Sequence, residues 1–289
     1  MDDEARAATR HCYRVLEPIH SMIYFAPEAE QAYLEAGLDK GGRLAYFASR
    51  AAALGPVGAG VVAATFYNFN PELVGKHIPR AWTLASPADL VSARADAAGT
   101  ALRRLLGEQL ASSDALAELA ELARQAAQGA EPDGRPLFAA HADLDWPTDP
   151  VVVLWHAATL LREYRGDGHI ASLLNHGIAG LPALVTHTAT GKGFLPEIAR
   201  KLRGWSQEEW DSAQARLREE GIVDHDGALT ERGVAMRERI EGETDAASSA
   251  PWSRLGADKT NRVRELAKEL SRAVVAAGAY PSGLFASQR

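Results

Sequence analysis

The chain has 289 residues, enough for one large domain or two modest ones, and 46% of them are hydrophobic, ample for a core. Its formal charge of −7 argues against an extended nucleic-acid surface and leaves room for a local basic patch. Its one cysteine, Cys12, excludes an internal disulfide framework and a cysteine-based metal cluster.

The first residues, MDDEARAATRH, are charged and lack the apolar run of a signal peptide. The longest apolar stretch, Val57 to Phe66, is too short to span a bilayer. Both features predict a soluble, cytoplasmic protein. Residues 2–24 predict a helix whose apolar stripe is Cys12, Val15, Leu16, Ile19 and Ile23, with His20 and Tyr24 one turn apart and Pro18 as a kink. Pro27 starts a second helix that Gly37 closes. Two short helices, 46–53 and 58–66, are split by Gly55-Pro56. Tyr67-Asn68-Phe69-Asn70-Pro71 then forms a polar-aromatic turn. Aromatic rings beside a few hydrogen-bonding groups are what small-molecule pockets use, so Arg50, Tyr67 and Asn68 are candidate ligand-binding residues; an aromatic core with an Asn-Pro turn is the competing reading. Ser86-Pro87 opens a helix to about Leu106, Ser113 or Asp114 caps another through Ala127, and 131–136 is a loop.

The stretch from Asp149 to His169 carries the densest polar chemistry. Asp149-Pro150 reads as an N-cap and first turn. Val151, Leu154, Ala158 and Leu161 make the apolar face, and His156, Thr159 and Glu163 an adjacent stripe. Gly166-Asp167-Gly168 is expected to end the helix, letting His169 fold back with Asp167 orienting its ring. The site expected here brings His156, Arg162, Asp167 and His169 together with Arg50 and Tyr67 on one partly buried cavity. Arg162 or Arg165 would supply positive charge to a carboxylate or phenolate on the ligand. The competing reading is a C-capped helix with solvated arginines.

Helices are predicted over 169–176, 181–188 and 194–202. Ser206 and Glu209 form a capping box for another, stopped by Gly221. Ile222-Val223, the turn 224–227 and Ala228-Leu229-Thr230 predict a small hairpin, after which Thr230 caps a helix from Glu231. In the last helix Val263, Leu266, Leu270 and Val274 form an apolar stripe near Trp252, expected to pack in a homodimer or against the winged helix.

Residues 194–240, FLPEIARKLRGWSQEEWDSAQARLREEGIVDHDGALTERGVAMRERI, resemble the winged helix-turn-helix of MarR-type regulators. With RGDGHIASLL and YFASRAA, the whole chain also resembles an actinobacterial family of helix-turn-helix-like proteins, a likeness that implies a fold and no activity. The MarR resemblance makes Arg200, Lys201, Arg203, Arg216 and Arg218 the candidate DNA-binding residues. Against it, residues 205–227 carry Glu208, Glu209, Asp211, Glu219, Glu220, Asp224 and Asp226 with only Arg216 and Arg218, and phosphate contacts need Lys or Arg.

The sequence therefore predicts a mainly α protein. A helical N-terminal region, 1–148, precedes a region, 149–289, with the central helix, a winged helix-turn-helix bearing a small β-hairpin wing, and C-terminal helices. The function expected first is a small-molecule-binding protein on a winged-helix scaffold, with an enzyme of specialised metabolism left open and catalytic residues unassigned. A MarR-like DNA-binding transcription regulator and a non-catalytic dimerisation module are the alternatives. With no HExxH, GxSxG, P-loop or GxGxxG, no metal and no cofactor is expected.

Overall fold

Residues 3–40 and 42–285 are described in the structure, a computed structural model. In order, the helices are α1 (Asp3–Ser21), α2 (Pro27–Glu35), α3 (Arg43–Ala51), α4 (Ala59–Phe66), α5 (Pro71–His77), α6 (Pro87–Ala111), α7 (Asp114–Gln128), α8 (Pro136–Ala142), α9 (Pro150–Asn175), α10 (Gly180–Thr188), α11 (Pro196–Arg203), α12 (Gln207–Glu219), α13 (Glu231–Ala247), α14 (Ala250–Leu255) and α15 (Ala257–Ala276). No single helix among the described residues is long and apolar enough to cross a membrane.

The chain divides into two units, each built from separated segments. The first comprises 1–57, 77–168 and 245–280, and the second 58–76, 169–244 and 281–289. In the first unit α1 lies along α15 and α2 along α6. The apolar stripe Val263, Leu266, Leu270 and Val274 is fully used inside this unit, where α15 packs on α1, α6 and α7. Trp252 is buried with it and meets Tyr13 edge to face, ring centroids 5.5 Å apart.

In the second unit α10, α11 and α12 pack around Leu184, Val185, Ala199, Trp210, Ala213 and Leu217. Gly204, left-handed at φ 77°, ends α11, and Ser206 with Glu209 forms the expected capping box at the start of α12.

Two expectations fail. The Gly166-Asp167-Gly168 break does not occur, and α9 runs unbroken through it. The glycines serve close approach instead. A Cβ at Gly166 would stand 3.2 Å from an Arg162 guanidinium nitrogen, and one at Gly168 2.8 Å from that of Arg135. The β-hairpin wing is likewise absent, since the described residues contain no β-strand. Between α12 and α13 there is a single bridge, Val223 to Leu229. The Asp224 carboxylate takes the amides of Asp226 and Ala228, both at 2.9 Å, and curls the chain into a side-chain-stabilised turn. Thr230 accepts from the Gly233 amide at once to start α13, so cross-chain pairing goes no further than the Asp224 amide to the Ala228 carbonyl and the Thr230 amide to the Ile222 carbonyl.

Two glycines of α13 test this packing. A Cβ at Gly233 would lie 2.1 Å from the Ile222 carbonyl oxygen, whereas one at Gly242 meets nothing within 4 Å. Gly233→Ala should lower stability by at least ~2 kcal/mol through overpacking, and Gly242→Ala should raise it by up to ~1 kcal/mol through helix propensity. Denaturant melts of the two variants give the comparison.

Candidate functional site

The face of α9 that looks into the first unit carries a line of polar groups, and helical spacing places Thr159, Glu163 and Asp167 on successive turns. Glu163 is its centre. Its side chain is 1% exposed and takes two hydrogen bonds from Arg50 of α3, Nε to Oε1 at 3.1 Å and Nη2 to Oε2 at 2.9 Å. Arg162 Nη1 reaches the same Oε2 at 2.8 Å. Burial by itself would raise the Glu163 carboxyl, but Arg162 and Arg50 outweigh it and hold it well below the usual carboxylate range. Arg50 is sealed beside it, whereas Arg162 keeps a third of its side chain, 34%, open to solvent. Arg50 also donates to the Tyr46 hydroxyl at 3.3 Å.

One turn earlier the hydrogen bonds have a fixed direction. The Thr159 hydroxyl donates to the Trp155 carbonyl, so it accepts from Nδ1 of His20 at 3.0 Å. His20 Nε2 then lacks a proton and accepts from the Tyr24 hydroxyl at 3.1 Å, which itself accepts from Arg94 Nη2 at 3.2 Å. His20 is neutral, because burial, and after it the cations Arg162, Arg94 and Arg50, push its pKa well down. One turn later Asp167 accepts from the amides of Leu137 and Phe138 at 3.1 and 2.9 Å and so caps the start of α8. Burial nonetheless raises its carboxyl to about 6. His141 and His156 are both depressed to about 4, chiefly by burial. Nε2 of His156 has no hydrogen-bond partner, and its ring meets Trp146 edge to face at 4.8 Å.

The second unit places its candidates differently. The Tyr67 hydroxyl donates to the Ile178 carbonyl. Asn68 accepts from Arg203 Nε at 3.1 Å through its side chain and from Trp205 Nε1 at 2.9 Å through its carbonyl. The Asn70 amide donates to the Arg203 carbonyl at 2.9 Å. The polar-aromatic turn thus clamps the turn between α11 and α12. His169 pairs with Thr244; since Thr244 donates to the Ile240 carbonyl, the ring donates through Nδ1, at 2.9 Å.

Of the residues expected to converge, the structure joins Arg50 and Arg162, through Glu163. Asp167 follows one turn on, bonded to α8. His156 and His169 are thirteen positions apart on one helix, about 20 Å along its axis. Tyr67, Asn68 and His169 belong to the second unit. The residues absent from the sequence-derived set are Glu163 itself, His20, Tyr24, Tyr46 and Arg94. Glu163 lay in the polar stripe of α9 and His20 with Tyr24 in a helical pair, so those signals were present; nothing marked Arg94.

Of the candidate DNA-binding cations, Arg203 lies over the rings of Phe69 and Phe194, at 4.4 and 5.6 Å from their centroids. Arg200 donates to the Trp205 carbonyl, and exposed Lys201 pairs with Glu197. Arg216 and Arg218 are exposed. The exposed residues in the first turns of α12 are Gln207, Glu208, Asp211 and Ser212.

This arrangement of α10, α11 and α12 agrees with a matching family model, described as a helix-turn-helix family and spanning residues 9–281. The chain belongs to that helix-turn-helix family. No curated protein and no solved structure matches it. The match covers both units, so the buried cluster around Glu163 is as much a part of this helix-turn-helix protein as α11 and α12 are.

Removing the central carboxylate should leave two cations facing each other. Glu163→Gln is expected to cost ~3–5 kcal/mol, the usual penalty for breaking a buried pair, as read from urea melts. Acid should act through the histidines. With His141 and His156 at about 4 in the folded chain against an ordinary 6.5, the folded state binds fewer protons than the unfolded one between those values. Stability therefore falls as pH drops from 6.5 to about 4, offset in part by Asp167, whose raised carboxyl favours the folded state as pH falls through about 6. His156→Leu should flatten the dependence measured between pH 7 and 4.

Proposed function

We propose that this helix-turn-helix protein binds a small molecule in the first unit, where Arg162 opens to solvent beside the sealed Arg50–Glu163 pair. The observation that carries the reading is the ion pair itself: a carboxylate 1% exposed, bonded by one closed and one open guanidinium. Burying such a cluster is rarely the cheapest way to stabilise a core, because apolar residues of similar volume often do as well or better. Retaining it fits a binding role in which fixed, fully bonded charges present one open donor. Part-exposed Tyr46 accepts from Arg50, and part-exposed Tyr24 bonds the buried His20 and Arg94, which fits the same site. A thermal-shift screen of metabolite-sized compounds tests this, since a ligand that binds only the folded chain raises its melting temperature. The expected result is a set of compounds that shift wild type by several degrees and Arg162→Ala by less than one. Hits that shift both equally would place binding elsewhere.

DNA binding is the second reading, and the family match favours it. The surface of α12 speaks against the usual mode, in which the second helix enters the major groove, because Glu208 and Asp211 stand where base contacts start and would meet phosphate with like charge. Arg203 is held over aromatic rings, and Arg200 is tied to a carbonyl. A gel shift at low salt with DNA from upstream of the chain's own gene separates the two. No specific complex is expected, and Arg216→Ala with Arg218→Ala should change nothing. A specific, steeply salt-dependent complex lost in that double variant would make the DNA reading the better one.

A further inference from the structure

The first unit also holds a cleft that the Glu163 cluster does not use. It has a volume of about 190 Å³ and lies among the end of α7, the loop after it, α8 and α9. Its floor is Ala127, Phe138 and Leu160, none more than 3% exposed. Ala139 and Ala142, one turn apart on α8, have side chains too short to fill it. A cavity of about 150 Å³ is enough for benzene, so this one takes a single six-membered ring with a short chain attached. Leu160 and Arg162 are two positions apart on α9, about 200° around its axis, so the cleft and Arg162 lie on different faces of the helix.

The chemistry of the cleft is set by Trp146 and Asp143. Trp146 is a half-buried wall. Guanidinium groups cover other aromatic faces of this unit, Arg94 over Trp155 at 5.3 Å and Arg135 over Tyr164 at 3.7 Å. Among the described residues no cation covers Trp146. Behind it stands His156, edge to face at 4.8 Å, which burial keeps neutral, so no imidazolium opposes a cation at the indole. At the rim Asp143 is exposed and has no ion-pair partner among the described residues. Exposed Asp145 sits one position before Trp146. The cations beside the cleft in the chain and across it have their donors engaged. Arg254 bonds the Gly129 carbonyl and Glu131, and Arg135 the carbonyls of Tyr164 and Ala247. The cleft is therefore apolar and aromatic within and carries carboxylate at its mouth.

We infer that this cleft binds a small arylalkyl amine in its protonated form, with the ring against Phe138 and Trp146 and the ammonium at Asp143. An ammonium has three donors and no acceptor. Asp143 and the side-chain carbonyl of exposed Gln128, both on the lining, offer it acceptors, and the uncovered indole face offers attraction for the charge. A carboxylate of the same shape would meet Asp143 with like charge. The inference is independent of the site at Arg162, and either can fail without the other.

The test varies charge at constant shape. 2-Phenylethylamine, 2-phenylethanol and phenylacetate are titrated by calorimetry at pH 7 into the full chain and into Asp143→Asn and Ala139→Leu. The amine should bind saturably, at least threefold tighter than the alcohol, with phenylacetate weakest; a larger ratio is not required, because an exposed carboxylate is screened by water and salt. Asp143→Asn should bring the amine-to-alcohol ratio below twofold while leaving the alcohol unchanged. Ala139→Leu, which fills part of the cleft with a good helix former, should weaken amine and alcohol alike by tenfold or more. Should Ala139→Leu fail to melt cooperatively, the ratios in wild type and Asp143→Asn decide. An alcohol or phenylacetate that binds as tightly as the amine, a preference that survives in Asp143→Asn, or undiminished binding to folded Ala139→Leu would overturn the assignment, and so would a folded wild-type chain that binds none of the three.

Discussion

The polar cluster of the first unit is arranged around one requirement, that the Glu163 carboxylate be bonded once it is out of water. A buried anion costs several kcal/mol unless it is paired and hydrogen-bonded. Arg50 from α3 meets it as a fork, Arg162 closes the outer oxygen, and α3 and α9 are thereby fixed in register. The neighbours follow from the field this creates. His20 is kept neutral by burial among arginines, and its neutrality forces the direction of the hydrogen bonds from Arg94 through Tyr24 to Thr159. A tautomer is usually a matter of choice; here the Thr159 donation to the Trp155 carbonyl leaves none.

Much of the helical fold is legible in the sequence because it rests on local rules. The capping box at Ser206, the N-cap at Ser86 and the helix start at Pro27 each follow from hydrogen-bond needs within a few residues. The hairpin was misjudged for an equally local reason. Alternating residues around Asp224-His225-Asp226-Gly227 satisfy a strand pattern, yet the Asp224 side chain takes the Ala228 amide that a ladder would need. At Gly166 and Gly168 the sequence offers two explanations, freedom of the backbone or absence of a side chain. Only the neighbours Arg162 and Arg135, one of them thirty positions away, decide for the second.

The candidate site was half legible. Arg50 was recognisable as a cation beside aromatics and Arg162 as a cation late in the central helix, but Glu163, visible only as a member of a polar stripe, carried no sign that it unites them. Its pairing spans 113 positions of chain, and no periodicity carries that distance. Asn68 illustrates the converse. It has the composition of a pocket residue and is consumed in clamping the turn before α12. The same clamp orients Arg203 inward, which is why a basic count taken over α11 overstates the charge available at its surface.

The pairing of α1 with α15 has a consequence for how the chain is made. The two helices are separated by some two hundred and thirty residues of sequence, yet Leu16 and Ile19 are sealed in the unit that α15 completes. At a synthesis rate of about 5–20 residues per second, α1 would leave the ribosome tens of seconds before its partner exists. During that interval the part of its apolar stripe that α15 covers is without that cover. Nascent chains of this protein therefore carry a long-lived exposed helix face, and a cell making it quickly would lean on chaperones that hold apolar helices until the last segment emerges.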